Sequence, residues 1–150
     1  MTYSVSRWEA PDPEALRLEA AFSEWIGRLP RDRVRIERQD TPEEHVFAFV
    51  PAALDACAVQ VRLSPDGEFG LFFPGGFRFE DVSAADFELL ECLESIRQGR
   101  CAVNEYRWGW LKVGIQFTVR LADGALYDGA GFQGLLRGRV SVRTRQFAPW

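Results

Sequence analysis

One histidine and three cysteines bound the nucleophilic chemistry open to this 150-residue chain. A serine or cysteine nucleophile needs a base held within hydrogen-bond reach, and His45 supplies the only imidazole. It opens the β-favouring run HVFAFV behind Glu43-Glu44, and no GxSxG elbow accompanies it. Pairing it with Cys57 or Cys101 is conceivable, but both cysteines fall where small core residues belong. Cys57, Cys92 and Cys101 are widely spaced, form no CxxC and have a single histidine to join them, so neither a zinc site nor a disulfide framework is expected. The glycines of YDGAGFQG match no phosphate-binding loop: no Lys-Ser/Thr follows them and no GxGxxG leads into a helix. Neighbouring carboxylates such as Asp66/Glu68 and Glu80/Asp81 belong to solvated turns. The expectation is a chain with no catalytic residue, no metal and no cofactor.

Residue types suited to recognition are more prominent. In NEYRWGWLK, Tyr106, Trp108, Trp110 and Lys112 share one strand face if the strand runs straight through Gly109. If Gly109 turns the chain instead, the two indoles sit at a hairpin tip. Tryptophan offers a large, stiff contact area with a polar handle, and binding hot spots are enriched in it. A second feature is charge segregation. Glu88, Glu91 and Glu94 recur at helical spacing as an acidic face able to steer a basic partner, while Arg139, Arg143 and Arg145 alternate with Val140, Val142 and Thr144.

Elements must place these residues. Asp12-Pro13-Glu14 has the composition of a helix start, and Leu18, Phe22, Trp25, Ile26 and Leu29 then fall on one stripe of a helix ending before Pro30. Residues 33–38 and 45–50 read as an antiparallel pair, and 56–63 alternates as a half-buried strand ahead of the turn at Ser64-Pro65-Asp66-Gly67. The stretch EFGLFFPGGFRFE puts Phe69, Leu71 and Phe73 on one strand face. Pro74-Gly75 forms a turn after which Phe77 and Phe79 re-enter the core, leaving Phe72 on the other face as a contact candidate. Ser83-Ala84-Ala85-Asp86 resembles a capping box and predicts a second helix running to Gly99, with Leu89, Cys92, Leu93 and Ile96 inward. Strands follow over 100–108 and 111–121, a turn at Ala122-Asp123-Gly124, an irregular glycine-rich connection, and a last strand over 135–147. The order predicts one α+β domain spanning residues 1–150: a largely antiparallel β-sheet with two α-helices packed on one face.

Composition agrees with a folded core and narrows the partner. Apolar residues make up 47% and charged residues 27%, outside the range of disordered chains. A formal net charge of -4 disfavours non-specific nucleic-acid binding, which needs a field of basic residues to displace counterions. The N-terminal residues lack the leader of a secretory signal, and no apolar run approaches membrane-spanning length, so a cytoplasmic protein without a membrane partner is expected.

The junction ESIRQGRCAVNEYRW, where a helix ends at Gly99-Arg100 and a strand bearing Glu105 follows, resembles small bacterial α+β families that include immunity proteins of polymorphic toxin systems. The resemblance implies a non-catalytic inhibitor that occludes a toxin, and the acidic balance fits a basic toxin domain as partner. It carries no individual residue role. From the residues themselves the expected contact set is Tyr106, Trp108, Trp110 and Phe72, with Glu88, Glu91 and Glu94 as the steering face. The alternative is a small-ligand-binding domain with an aromatic pocket lined by Phe72, Tyr106 and Trp110. An enzyme using a carboxylate pair is the third.

Overall fold

The computed structural model describes Trp8 and residues 10–83, 88–131 and 140–150. It is an α+β fold of two helices and antiparallel strands. Helix α1 covers Pro13–Gly27, with the Asp12 side chain accepting from the Glu14 amide (3.0 Å) and Pro13 in the first turn. It buries Ala15, Phe22, Trp25 and Ile26, and Leu29 follows just beyond its end.

That stripe lies on a five-stranded antiparallel meander, β1 (Val34–Asp40), β2 (His45–Pro51), β3 (Val59–Leu63), β4 (Glu68–Phe72) and β5 (Arg78–Ser83), in sequential order. Period-2 alternation turns Phe47, Phe49, Val59, Val61, Leu63, Phe69 and Leu71 inward. Phe22 meets Phe47 and Phe49 edge-on, with ring centroids 4.7 and 5.9 Å apart. This geometry lets the positive edge of one ring approach the negative face of another.

The second helix, α2, spans Leu89–Arg97 and starts later than the sequence pattern suggests. Ser83 is drawn into β5 by its pairing with Glu68, and Glu88 occupies the N-cap without a side-chain capping bond. Ladder hydrogen bonds to β4 win over the local capping signal; Ala84, Ala85 and Asp86 lie outside the described residues. Leu89, Cys92, Leu93 and Ile96 are buried as the spacing predicts.

The remaining strands are β6 (Cys101–Trp108), β7 (Leu111–Leu121), β8 (Gly124–Gly131) and β9 (Val140–Gln146). They form a separate four-stranded antiparallel sheet in the order β8-β7-β6-β9, so the strands divide into two sheets where a single layer was expected. Strand β8 also replaces the irregular connection read from its glycines. At Gly129 a Cβ would lie 2.3 Å from the Ile115 carbonyl oxygen, so glycine here permits the close pairing of β8 with β7.

Aromatic stacking and the C-terminal residues join the sheets, and the Arg78 amide donates to Asp128 Oδ2 of β8 (2.7 Å). Phe73 and Phe77, beyond the end of β4, stack on Phe117 of β7 at 4.2 and 5.6 Å. The C-terminal residues then return to the first sheet: Ala148 bridges to Ala56, and the Trp150 indole donates to the Cys57 carbonyl oxygen (2.9 Å) and stacks on Phe49. Phe117 is 1% exposed and lies where both sheets meet. Phe117→Ala is expected to lower the unfolding free energy by about 3–5 kcal/mol in urea titrations. Phe72→Ala, on the outer face of the first sheet, should cost clearly less in the same assay; equal losses would contradict the seam at Phe117.

Candidate protein-binding surface

The β6–β7 hairpin resolves the question posed by RWGWL. Trp108 pairs with Leu111, which leaves Gly109-Trp110 as a two-residue loop. Gly109 has φ 61°, a left-handed value that glycine reaches without strain, and glycine-first loops of this length match the twist of paired strands. The chain therefore turns, and the indoles sit at a tip. Trp110 is 87% exposed, Trp108 41% and Leu111 43%. Strand β9 lies on the other side of β6, pairing Val140 with Trp108 and Val142 with Tyr106. Val142, 53% exposed, shares the sheet face of Trp108 and Leu111 and extends the apolar patch.

Beneath the patch the same face is stitched by polar rungs. The Tyr106 hydroxyl donates to Gln116 Oε1 (3.0 Å), Asn104 Nδ2 donates to Thr118 Oγ1 (3.2 Å), and Thr144 Oγ1 donates to Asn104 Oδ1 (2.9 Å). Tyr106 is buried, so it supports the surface from below and is not itself an exposed anchor.

The opposite face of this sheet end is charged. Glu105 binds Arg107 and Lys112 (3.6 Å), whose cations hold its carboxyl below the usual range. Arg143 pairs with Glu105 in backbone register yet makes no ion pair among the described residues. Arg145 lies over the Phe147 ring at 5.3 Å. Arg139 is outside the described residues.

The three glutamates do converge. Glu88, Glu91 and Glu94 line a groove of about 530 Å³ between the end of α1 and α2, together with Trp25, Leu29 and Arg97. Two of them are already engaged. Glu91 accepts from the Ala122 amide (2.8 Å), tying α2 to the β7–β8 turn. Glu94 accepts from Arg97, from the Trp25 indole (3.2 Å) and from Gln98 (3.0 Å). The Arg97 guanidinium, aided by the Trp25 and Gln98 donors, pulls the Glu94 carboxyl down to about 2. The steering charge of this face is thus smaller than its sequence pattern suggests.

Phe72 belongs to neither feature. It lies on the outer face of the first sheet with the Arg62 guanidinium 4.4 Å above its ring, in a shallow groove of about 130 Å³. Neither of these two grooves includes Tyr106 or Trp110. Phe72, Tyr106 and Trp110 occupy an outer sheet face, a buried rung and a hairpin tip, an arrangement that does not gather them around one ligand.

His45 and the cysteines do not combine. His45 Nδ1 faces Glu19 Oε1 at 3.1 Å, and its ring stacks on Trp8 at 4.1 Å. Arg38 bonds both Asp40 (2.9 Å) and Glu19 (3.4 Å), completing a largely buried clasp at one end of the first sheet. The sequence held a signal for it, since Arg38 and Asp40 are in phase with the inward Val34 and Ile36; only the register Asp40↔His45 brings the partners together. The neighbouring Cys101 thiol and then burial push the Cys57 thiol upward, and the Cys57 Sγ donates to the Ala58 carbonyl oxygen (3.4 Å). Burial pushes Cys92 up to about 12. Such thiols are protonated at neutral pH and are poor nucleophiles.

No protein-family model matches the chain, and neither a curated protein nor a solved structure does. Among the described residues no helix is long and apolar enough to cross a membrane.

The Glu94 contacts predict a specific acid response. The carboxyl falls from its ordinary 4.5 to about 2 on folding, so its contribution is complete above pH 4.5 and disappears as pH drops through about 2. In urea titrations at stepped pH, wild type should exceed Glu94→Gln in stability at pH 6. The gap should close between those two values; a constant gap would refute the assignment.

Proposed function

We propose that this chain is a non-catalytic protein-binding module of the immunity-like inhibitor kind, acting in a reducing compartment such as the cytoplasm and contacting its partner through the β6–β7 hairpin tip. The single observation that carries the reading is the cluster of exposed apolar residues there: Trp108, Trp110, Leu111 and Val142. Isolated surface hydrophobes need no explanation, but two indoles at the end of an ordered hairpin beside two aliphatic side chains form a patch of the type found at recognition sites. The hairpin is also held in shape by the Tyr106 and Asn104 rungs, so covering it requires little further ordering.

The face of β9 opposite the indoles is basic, from Arg143 and Arg145, whereas the acidic groove lies on α2 with two of its three glutamates engaged. The hairpin therefore suits a partner that presents carboxylates near its contact point, and the case for a basic partner rests on the α2 groove alone. Three free, buried cysteines favour the reducing compartment.

Affinity capture with the tagged chain against a lysate of its source organism, quantified by mass spectrometry, tests the reading. Trp108→Ala/Trp110→Ala should retain the wild-type melting temperature and lose the captured protein, since hot-spot indoles contribute about 2 kcal/mol or more each. Capture that survives the double substitution would overturn it.

A further inference from the structure

Strand β9 is an open edge. Among the described residues its only strand neighbour is β6, and residues 141–146 of its seven positions are exposed. Edge strands are normally blunted by proline, by a bulge, by shortness or by charged side chains, and of these devices β9 carries only the charges of Arg143 and Arg145. VSVRTRQ contains no proline, glycine or lysine, and its register with β6 runs without a shift from Ala102↔Gln146 to Trp108↔Val140. Its outward N–H and C=O groups thus form a regular row ready to pair with another extended segment.

The side chains say what that segment must carry. Alternation places Val142 on the face of Trp108 and Leu111, and Arg143 and Arg145 on the opposite face. Arg107 and Lys112 are already satisfied by Glu105, so among the described residues the cations without a carboxylate at this edge are Arg143 and Arg145. A second copy of this chain is a poor occupant in the two registers that engage both arginines. Antiparallel self-pairing centred on Arg143 sets that residue against itself, and centring on Thr144 sets Arg143 against Arg145; like charges directly opposite destabilise a sheet.

We infer that the outer edge of β9 accepts an extended segment of a partner protein as an added strand, one in which apolar residues alternate with carboxylates. The apolar set lies beside Val142 and the tryptophan face, and the carboxylates face Arg143 and Arg145. This deepens the reading of the hairpin as a contact surface, on which its apolar half rests, by naming the partner's local chemistry.

The test uses the full chain and a fluorescein-labelled seven-residue peptide alternating valine and glutamate, followed by anisotropy. Binding should survive N-methylation of one alternate set of peptide amides and vanish with the other, because only one set points at the edge. A peptide of the same composition with its valines and glutamates in blocks should not bind. Arg143→Glu/Arg145→Glu should weaken the peptide by about tenfold or more and bind the valine-lysine counterpart instead. Circular dichroism should confirm that this exposed pair of substitutions leaves the fold intact, and Arg143→Gln/Arg145→Gln provides a milder version.

Equal binding of the block peptide or of a single-stranded oligonucleotide would overturn the proposal by showing that charge alone suffices. A concentration-dependent dimer abolished by the β9 substitutions would overturn it in favour of self-association, and indifference of the peptide to charge reversal would also sink it. Failure of the hairpin reading shows up separately, as lysate capture unaffected by Trp108→Ala/Trp110→Ala.

Discussion

The architecture depends on one aromatic seam. Each sheet has one face whose large apolar residues are buried, and that face must be covered by another element. Helix α1 serves the first sheet, while α2 packs over β7 of the second. Between them Phe117 is met by Phe73, Phe77 and Phe79 from the β4–β5 hairpin and by Phe147 from the C-terminal segment. This explains the density of phenylalanine in EFGLFFPGGFRFE. Phe69 belongs to the first sheet, whereas Phe73, Phe77 and Phe79 cross to the second. Trp150 closes the arrangement from the other side by stacking on Phe49.

The seam engages only part of the second sheet. Cys101, Phe117, Val119 and Leu126 are buried at the end nearest the first sheet, and burial declines along β6 and β7 toward the Gly109-Trp110 loop. The far end is consequently held by its backbone ladder and polar rungs instead of by core packing. Those interactions keep the hairpin ordered while leaving its side chains free, a combination that helix-covered regions of the molecule lack. Polar groups elsewhere are largely used up internally: Glu19, Arg38, Asp40 and His45 satisfy one another, and Glu94 is shared among Arg97, Trp25 and Gln98.

Local periodicity made much of this legible. The α1 stripe of Phe22, Trp25 and Ile26, the alternation of Val59, Val61 and Leu63, and the inward set of α2 all follow from short-range spacing. What escaped depends on contacts far apart in sequence. The division into two sheets is decided by Phe117 and the C-terminal residues. The start of α2 is decided by β5 pairing, which claims Ser83. The strand identity of Gly124–Gly131 is decided by β7, because a glycine-rich segment carries no β pattern of its own. At the candidate site, the sequence left Trp108 and Trp110 either on one strand face or at a hairpin tip, and the pairing of Trp108 with Leu111 decides for the tip. The burial of Tyr106 and the internal engagement of Glu91 and Glu94 were not, since their partners Gln116, Ala122 and Trp25 are supplied by other elements.

The distribution of satisfied and unsatisfied groups finally separates the hairpin from the other candidates. Among the described residues, the polar groups around His45 and around Glu94 converge on each other. His45 faces Glu19 and the Trp8 ring, and Cys57 faces Cys101. The Trp108 end of the second sheet shows the reverse pattern among the described residues: apolar side chains with no covering element, and on the opposite face the guanidinium of Arg143 with no carboxylate. Arginine suits such a position better than lysine, because its planar fork can bind a carboxylate in two parallel hydrogen bonds and is weakly hydrated when covered. An edge with indoles on one face and arginines on the other would distinguish the two sides of an added strand. The period-2 geometry of β9 is what would convert that difference into a sequence requirement on an added strand.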